Sequence, residues 1–355
     1  INRNIIERAK TLKEKPDENN LGFGQYYTDH MFIMDYETGK GWHDARIVPY
    51  QNLSLDPAAM VLHYGQATFE GLKAYRGKDG EIRLFRPEKN MHRLNVSNDR
   101  LCIPQFNEED MVEAIKTLVK LEEDWIPSAP GTSLYIRPFI IATEAHVGVH
   151  PSNFYQFIII LSPVGAYYKE GINPVKIYVE DEYCRAVKGG MGFTKTAGNY
   201  AASLKSQEIA AEKGFTQVLW LDGVERKYIE EVGTMNVAFV INGEVVTPEL
   251  NGSILSGITR MSAIELLKDA GYKVTERKVS MQEVFDAAEN GTLDEAFGTG
   301  TAAVISPIGS LTWGDKTVIV NGGKIGPISH KVYDTITGIQ SGAIEDKYGW
   351  VTIVK

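Results

Sequence analysis

The sequence predicts a mixed α+β protein of two domains, and three observations predict it. Its 355 residues exceed the roughly 100 to 200 of one domain. An apolar fraction of 43 % with 10 % aromatics supplies enough side-chain area to bury a core, which excludes a disordered chain. Strand patterns and helix patterns alternate in both halves, with hairpin signals that a doubly wound parallel sheet would not carry. The pattern breaks at a Gly, an Asn and a Pro between Tyr168 and Pro174, which predicts a smaller α/β domain over 1–168, a linker over 169–175 and a larger mixed domain over 176–355.

In the first half, residues 74–86 read as two strands joined at Asp79-Gly80, because that dipeptide accepts the positive φ of a tight turn. Pro87 opens a helix running towards Leu101, its missing N–H being harmless in the first turn. Asn107 caps a second helix with Met111, Ile115, Leu118 and Leu121 on one face. Two apolar strands follow over 133–143 and 154–164. The second half places strands at 175–180, 217–222, 237–241 and 272–279. Its helices fall at 199–213, 257–269, 281–289 and 329–345, and Asn242-Gly243 marks a hairpin.

A net charge of −9, from 46 acidic and 37 basic side chains, argues against a nucleic-acid partner, since it would repel phosphate. No apolar run approaches the ~20 residues of a membrane span. Cys102 and Cys184 are the only cysteines, too few for a disulfide framework or a four-ligand zinc site. With no signal-peptide pattern, a cytoplasmic location is expected.

Three motifs suggest other chemistries. Gly298-Thr-Gly300-Thr-Ala-Ala303 matches the letters of a dinucleotide fingerprint, but that motif needs a helix after it, and VISPIGSLTW reads as strand and turn. Gly192-Phe-Thr-Lys195-Thr196 has Thr194 where a P-loop needs glycine. His146 and His150 have a metal-ligand spacing only in a helix, which Gly148 and Pro151 oppose; they read as loop histidines, and no metal is expected.

Lys195 lies in GGMGFTKTAGNY, a glycine-rich approach to a helix. A lysine can bond covalently to an aldehyde cofactor if its pKa is lowered, and the glycines would let a ring approach the backbone. In YIEEVGTMN, Glu230 is expected to be exposed. Glu231, if buried, could pair with a pyridinium nitrogen and keep it protonated. The helix start at Gly257-Ile258-Thr259 and the turn Gly300-Thr301-Ala302 add N–H donors for a phosphate. Together these features suggest pyridoxal 5'-phosphate.

Seven ordered blocks, HYGQATFEGLKAYRG, LFRPEKNMHRL, SLYIRPF, KTAGNY, EVGTMN, LSGITR and FGTGTAA, resemble the branched-chain amino-acid aminotransferases, fold-type IV pyridoxal-phosphate enzymes. The resemblance runs from about Phe23 to the C-terminus. It implies that Lys195 holds the cofactor covalently and serves as the catalytic acid and base, which places the cofactor lysine in the larger domain. By the same resemblance, Tyr200 hydrogen-bonds the ring O3′ and Glu231 the ring nitrogen. Arg93, Ile258, Thr259 and Thr301 bind the phosphate.

The resemblance also implies a substrate pocket walled by Phe23, Tyr64, Phe69, Tyr167 and Thr234, whose apolar surface suits leucine, isoleucine and valine. Arg137, with Tyr64 and Tyr135, would accept the second carboxylate of glutamate, and Thr234 with the backbone at Ala302 the α-carboxylate. The Cys-x-x-Cys that mammalian members carry after this turn is replaced by Ala-Val-Ile-Ser, which favours a bacterial-type enzyme. The expected activity is ping-pong transamination between these amino acids and 2-oxoglutarate by a homodimer. A D-amino-acid aminotransferase or aminodeoxychorismate lyase of the same fold, or a dinucleotide-dependent oxidoreductase, are the alternatives.

Overall fold

The computed structural model describes residues 5–167 and 172–355. The chain divides into two compact units. One comprises Ile1–Tyr167, Thr194–Ala197 and Gly338–Lys355, the other Tyr168–Phe193 and Gly198–Thr337. The partition therefore differs from that expected: the Lys195 segment and the C-terminal residues pack with the first unit, which is the larger of the two, so Lys195 does not belong to the second. Residues 169–171 of the expected linker lie outside the described residues, and 172–174 have no regular structure.

The first unit is built on a nine-stranded sheet. Its strands run in the order Ile5–Ile6, Gly41–Pro49, His30–Glu37, Phe154–Val164, Ser133–Ala142, Leu72–Arg76, Ile82–Phe85 and Val351–Val354, with Ala67–Phe69 also paired to Ser133–Ala142. The hairpin at Asp79-Gly80 forms as read, with Ala74 opposite Leu84 and Gly80 at φ 82°. Helices Pro87–Arg100 and Glu108–Leu121 cover one face. Met91, Leu94, Met111, Ile115 and Leu118 bury there against Phe32, Leu84, Ile136 and Leu161. Each such side chain contributes roughly 1.5–3 kcal/mol.

Because strand side chains alternate between faces, Leu134 and Ile136 enter that core while Tyr135 and Arg137 emerge on the other face. Lys73 pairs with Tyr135 and shares its face. It is buried, and burial pushes its ammonium down to about 8. An unfolded lysine titrates near 10.4, so the unfolded chain binds the extra proton as pH falls from about 10 to 8, and folding loses stability through that window. Below about pH 8 the penalty is complete. Lys73→Met is therefore expected to raise the thermal midpoint at pH 7, reflecting a stability gain on the order of 1–3 kcal/mol, and the advantage should shrink towards pH 10. Melting curves whose separation is the same at both pH values would contradict this.

The second unit has its own nine-stranded sheet. The order is Ile229–Val232, Gln217–Leu221, Val175–Glu180, Val304–Trp313, Leu293–Gly300, Asn236–Ile241, Glu244–Pro248 and Val274–Arg277, with Lys316–Ile319 paired to Val304–Trp313. Parallel pairs join Val175–Glu180 to both its neighbours and Glu244–Pro248 to Val274–Arg277; the other ladders are antiparallel. Asn242 and Gly243 both take positive φ in the hairpin that sets Ile241 opposite Glu244. The single helix expected over 199–213 is two, Ala197–Ala201 and Leu204–Glu212. No helix among the described residues is long and apolar enough to cross a membrane.

Candidate active site

Within the first unit, the Lys195 backbone is fixed on both sides. Its N–H donates to Ser97 Oγ at 2.9 Å, its carbonyl accepts from the Phe69 N–H at 3.0 Å, and Thr196 Oγ1 donates to the Ala67 carbonyl at 2.6 Å. Ser97 lies on the helix Pro87–Arg100 one turn after Arg93, whose carbonyl its hydroxyl also contacts at 3.1 Å. None of these bonds uses the lysine side chain. The half-buried amine sits 4.9 Å from the centre of the Phe69 ring.

Arg93, expected to bind phosphate, is buried on that helix. Its Nε and one terminal nitrogen donate to the two oxygens of Glu70 at 2.7 and 2.9 Å. This fork-to-fork pair fixes the guanidinium plane. Glu70 is itself fully buried and accepts from Asn90 Nδ2 at 2.7 Å, so the guanidinium's partner is anchored in turn.

Tyr135 and Arg137 form a unit on their strand. Arg137 donates to the Tyr135 hydroxyl at 2.8 Å, and its guanidinium lies 4.7 Å from the Phe69 ring centre. Phe23 packs edge-on against Tyr135 at 4.9 Å. The Tyr135 hydroxyl occupies the space a side chain on Gly71 would need, which is why FEG ends in glycine. Arg137 Nε is buried without a hydrogen-bond partner. Tyr64 is not brought to this pair: it ends the helix Met60–Tyr64 with its ring centre 6.1 Å from that of His63, and no hydrogen bond among the described residues joins it to Arg137. Phe23, Tyr64 and Tyr167 are 49 %, 39 % and 50 % exposed in the single chain, so they do not form closed pocket walls within it.

In the second unit, Glu231 is buried on Ile229–Val232. One oxygen accepts the Leu255 N–H at 2.8 Å and lies 3.1 Å from Arg185. Arg185 also donates to the carbonyls of Gly192 and Ser253 at 2.8 and 2.5 Å. Asn236 Nδ2 donates to the Leu255 carbonyl at 2.8 Å, so the two ends of EVGTMN hold both the N–H and the carbonyl of Leu255. Asn236 Oδ1 fills the place of a Gly257 side chain. That registers the helix Ile258–Asp269, whose N-cap Gly257 offers its first N–H groups no side-chain acceptor. Ile258 and Thr259 therefore begin an anion-receptive helix end. Arg185 and Asn236 were not singled out from sequence; for Arg185, its place ten residues before Lys195, ahead of a run of glycines, carried no periodic or spacing signal.

Thr234 is exposed at the tip of the turn between Ile229–Val232 and Asn236–Ile241. Thr301 and Ala302 occupy the turn between Leu293–Gly300 and Val304–Trp313, closed by Val304 at φ 63°, a costly conformation for a β-branched residue. Strand, turn and strand replace the strand, turn and helix that a dinucleotide fingerprint needs, which removes the oxidoreductase reading. Tyr200 is half-buried on Ala197–Ala201.

Two expectations are corrected. Glu230 is buried, not exposed: it accepts from Ser253 Oγ and from Asn251 Nδ2, because the following loop folds over the strand. At Gly192 the space a side chain would fill is taken by Ser253's carbonyl and by Ala186, so that glycine admits the chain itself rather than a ring.

Each unit by itself carries donor chemistry of a kind that pyridoxal 5'-phosphate uses: the first a primary amine on a rigid backbone and an oriented guanidinium, the second an open helix N-terminus and a buried carboxylate. The family model for class IV amino-transferases matches residues 67–311, and the chain belongs to that family, with its fold-type IV architecture. Branched-chain-amino-acid aminotransferase 2 of Bacillus subtilis (strain 168) is 65 % identical over 349 residues, 98 % of this chain and 96 % of that protein. Among solved structures, the Escherichia coli branched-chain amino acid aminotransferase matches with a TM-score of 0.76 at 28 % identity, over 91 % of this chain and 99 % of that one. The branched-chain aminotransferase of the thermophilic archaeon Thermoproteus uzoniensis, solved with norvaline, gives 0.76 at 25 %, over 92 % and 100 %.

Proposed function

We propose that this protein exchanges the amino group between L-leucine, L-isoleucine or L-valine and 2-oxoglutarate in a ping-pong cycle with pyridoxal 5'-phosphate. The observation that carries the reading is the 65 % identity over nearly the whole chain to an enzyme named for that activity. When bound, the cofactor supplies an electron sink for negative charge at the substrate Cα.

The chain's residues do the rest. Lys195 tethers the cofactor and moves the proton at Cα. Arg93, Ile258, Thr259 and Thr301 bind the phosphate, Tyr200 the ring hydroxyl and Glu231 the ring nitrogen. Phe23, Tyr64, Phe69, Tyr167 and Thr234 contact the aliphatic side chain, and Ala302 with Thr234 the α-carboxylate. We also propose a homodimer, which light scattering of the purified protein would test.

Arg137 has the chemistry to select glutamate, because its buried, unpartnered Nε leaves an ionised donor for the second carboxylate. A hydrogen bond to a charged group contributes about 1.5–3 kcal/mol. Arg137→Ala is therefore expected to lower kcat/KM for glutamate by roughly 10- to 100-fold and for leucine much less. Equal losses for both would oppose this role. The activity itself is tested by single-turnover assays with a panel of amino acids. Leucine, isoleucine and valine should react with glutamate as second donor; reaction with D-alanine and none of these would overturn the proposal.

A further inference from the structure

Outside the residues given roles above, Glu144, His146 and His150 bring one potential ligand atom each to within 4.8 Å of the others. The sequence offered these histidines only a helical route to a metal, yet a loop achieves it: their rings meet edge to face with centres 4.7 Å apart. We propose that these three side chains bind a divalent transition-metal ion that prefers imidazole and carboxylate, with Zn2+ as the foremost case.

The three groups are gathered without bonding one another, and each is held by a neighbour. The Glu144 carboxylate accepts from the Asn153 N–H at 2.7 Å and from its side-chain amide. His150 Nδ1 lies 2.9 Å from the Pro151 carbonyl; a carbonyl only accepts, so Nδ1 carries the proton and Nε2 keeps its lone pair for a metal. Such a second bond is what orients metal-binding histidines. The backbone N–H of His146 donates to the Ala58 carbonyl at 3.0 Å, and its ring lies against Gly148, where a Cβ would come within 2.6 Å of Nε2. Glycine at 148 is thus what lets the ring occupy this place.

Two imidazoles and a carboxylate form a three-ligand set suited to tetrahedral zinc, with water in the fourth position. Ligand bonds of about 2.0–2.2 Å require the side chains to draw in from their present spacing, which exposed His146 and half-buried His150 and Glu144 can do by rotation. The ion would close a chelate around Val147–Val149, fixing a segment whose two valines are 65 % and 86 % exposed. The assignment is independent of the aminotransferase reading.

The test is a Zn2+ titration of the cofactor-loaded enzyme in a non-coordinating buffer, competed with a chromophoric chelator, and repeated for His150→Ala, Glu144→Gln, Gly148→Ala and Cys102→Ser. The proposal expects one Zn2+ per chain. His150→Ala and Glu144→Gln should weaken binding by at least ~10-fold, Gly148→Ala should weaken it without removing a ligand, and Cys102→Ser should leave it unchanged. Replacing Zn2+ by Co2+ should give the visible d–d bands of a tetrahedral site, lost in His150→Ala. The proposal is overturned if wild type binds no more Zn2+ than His150→Ala, or if the bound ion is lost in Cys102→Ser.

Discussion

Lys195→Ala is expected to abolish both transamination and covalent cofactor attachment, with kcat lower by at least ~10⁴-fold, the upper end of what a positioned acid or base contributes alone. The geometry makes this a clean test. The bonds from Ser97, Phe69 and Ala67 that hold the segment involve only backbone atoms of Lys195 and the side chain of Thr196. Removing the amine should therefore leave the fold and its thermal midpoint close to wild type. Lys195→Arg sharpens the result. It keeps a cation for the Phe69 ring, but a guanidinium stays protonated in proteins and cannot act as nucleophile or base. Both variants should be inactive and should release the cofactor on dialysis. Turnover near wild type in either would refute the assignment.

Glu231→Gln is expected to give the next largest loss, a fall in kcat on the order of 100-fold, as for removal of a charge-assisted hydrogen bond of ~3 kcal/mol. The substitution keeps the acceptor for the Leu255 N–H, so the strand and the helix start should hold. What disappears is the negative charge that would keep a ring nitrogen protonated. It also leaves the buried Arg185 cation with two carbonyl acceptors but no anion beside it, which destabilises. Stability and rate should therefore separate in the double variant Arg185→Met with Glu231→Gln: the thermal midpoint recovers in part while kcat does not. An unchanged kcat in Glu231→Gln, measured with saturating leucine and 2-oxoglutarate, would exclude the role proposed for this carboxylate.

Elements with local causes were legible in the sequence. Pro87 and Asn107 set the helix starts at Pro87–Arg100 and Glu108–Leu121, the latter with Asn107 Oδ1 accepting the Asp110 N–H at 2.9 Å. Asp79-Gly80 and Asn242-Gly243 likewise set their hairpins, since a turn's φ values are a property of two residues. Long-range pairing was not legible. The C-terminal strand Val351–Val354 joins Ile82–Phe85, and Thr68 bridges to Thr196; no pattern within either segment encodes its partner, so the sequence alone places Lys195 in the second domain and the fold in the first unit.

The site showed the same division. Lys195, Glu231 and Arg93 stood out through motif blocks, whereas the residues that hold them did not. Glu70 and Arg185 each act through a hydrogen-bonded or ion-paired partner far along the chain, and Glu230 is buried only because the loop at 251–253 covers it. The strand alternation that places Leu134 and Ile136 in the core also placed Tyr135 and Arg137 on one face, but the contact with Phe69 comes from a strand paired across the sheet. Helical spacing does not bring His146 and His150 together, whereas a loop with glycine at 148 does.

The central claim is that the amine of Lys195 carries the cofactor, and borohydride reduction followed by proteolysis and peptide mass spectrometry tests it most directly. The expected result is a yellow protein that bleaches on reduction and a single phosphopyridoxyl group on the peptide containing Lys195. A label on a different lysine, or none on a protein that still transaminates, would contradict it.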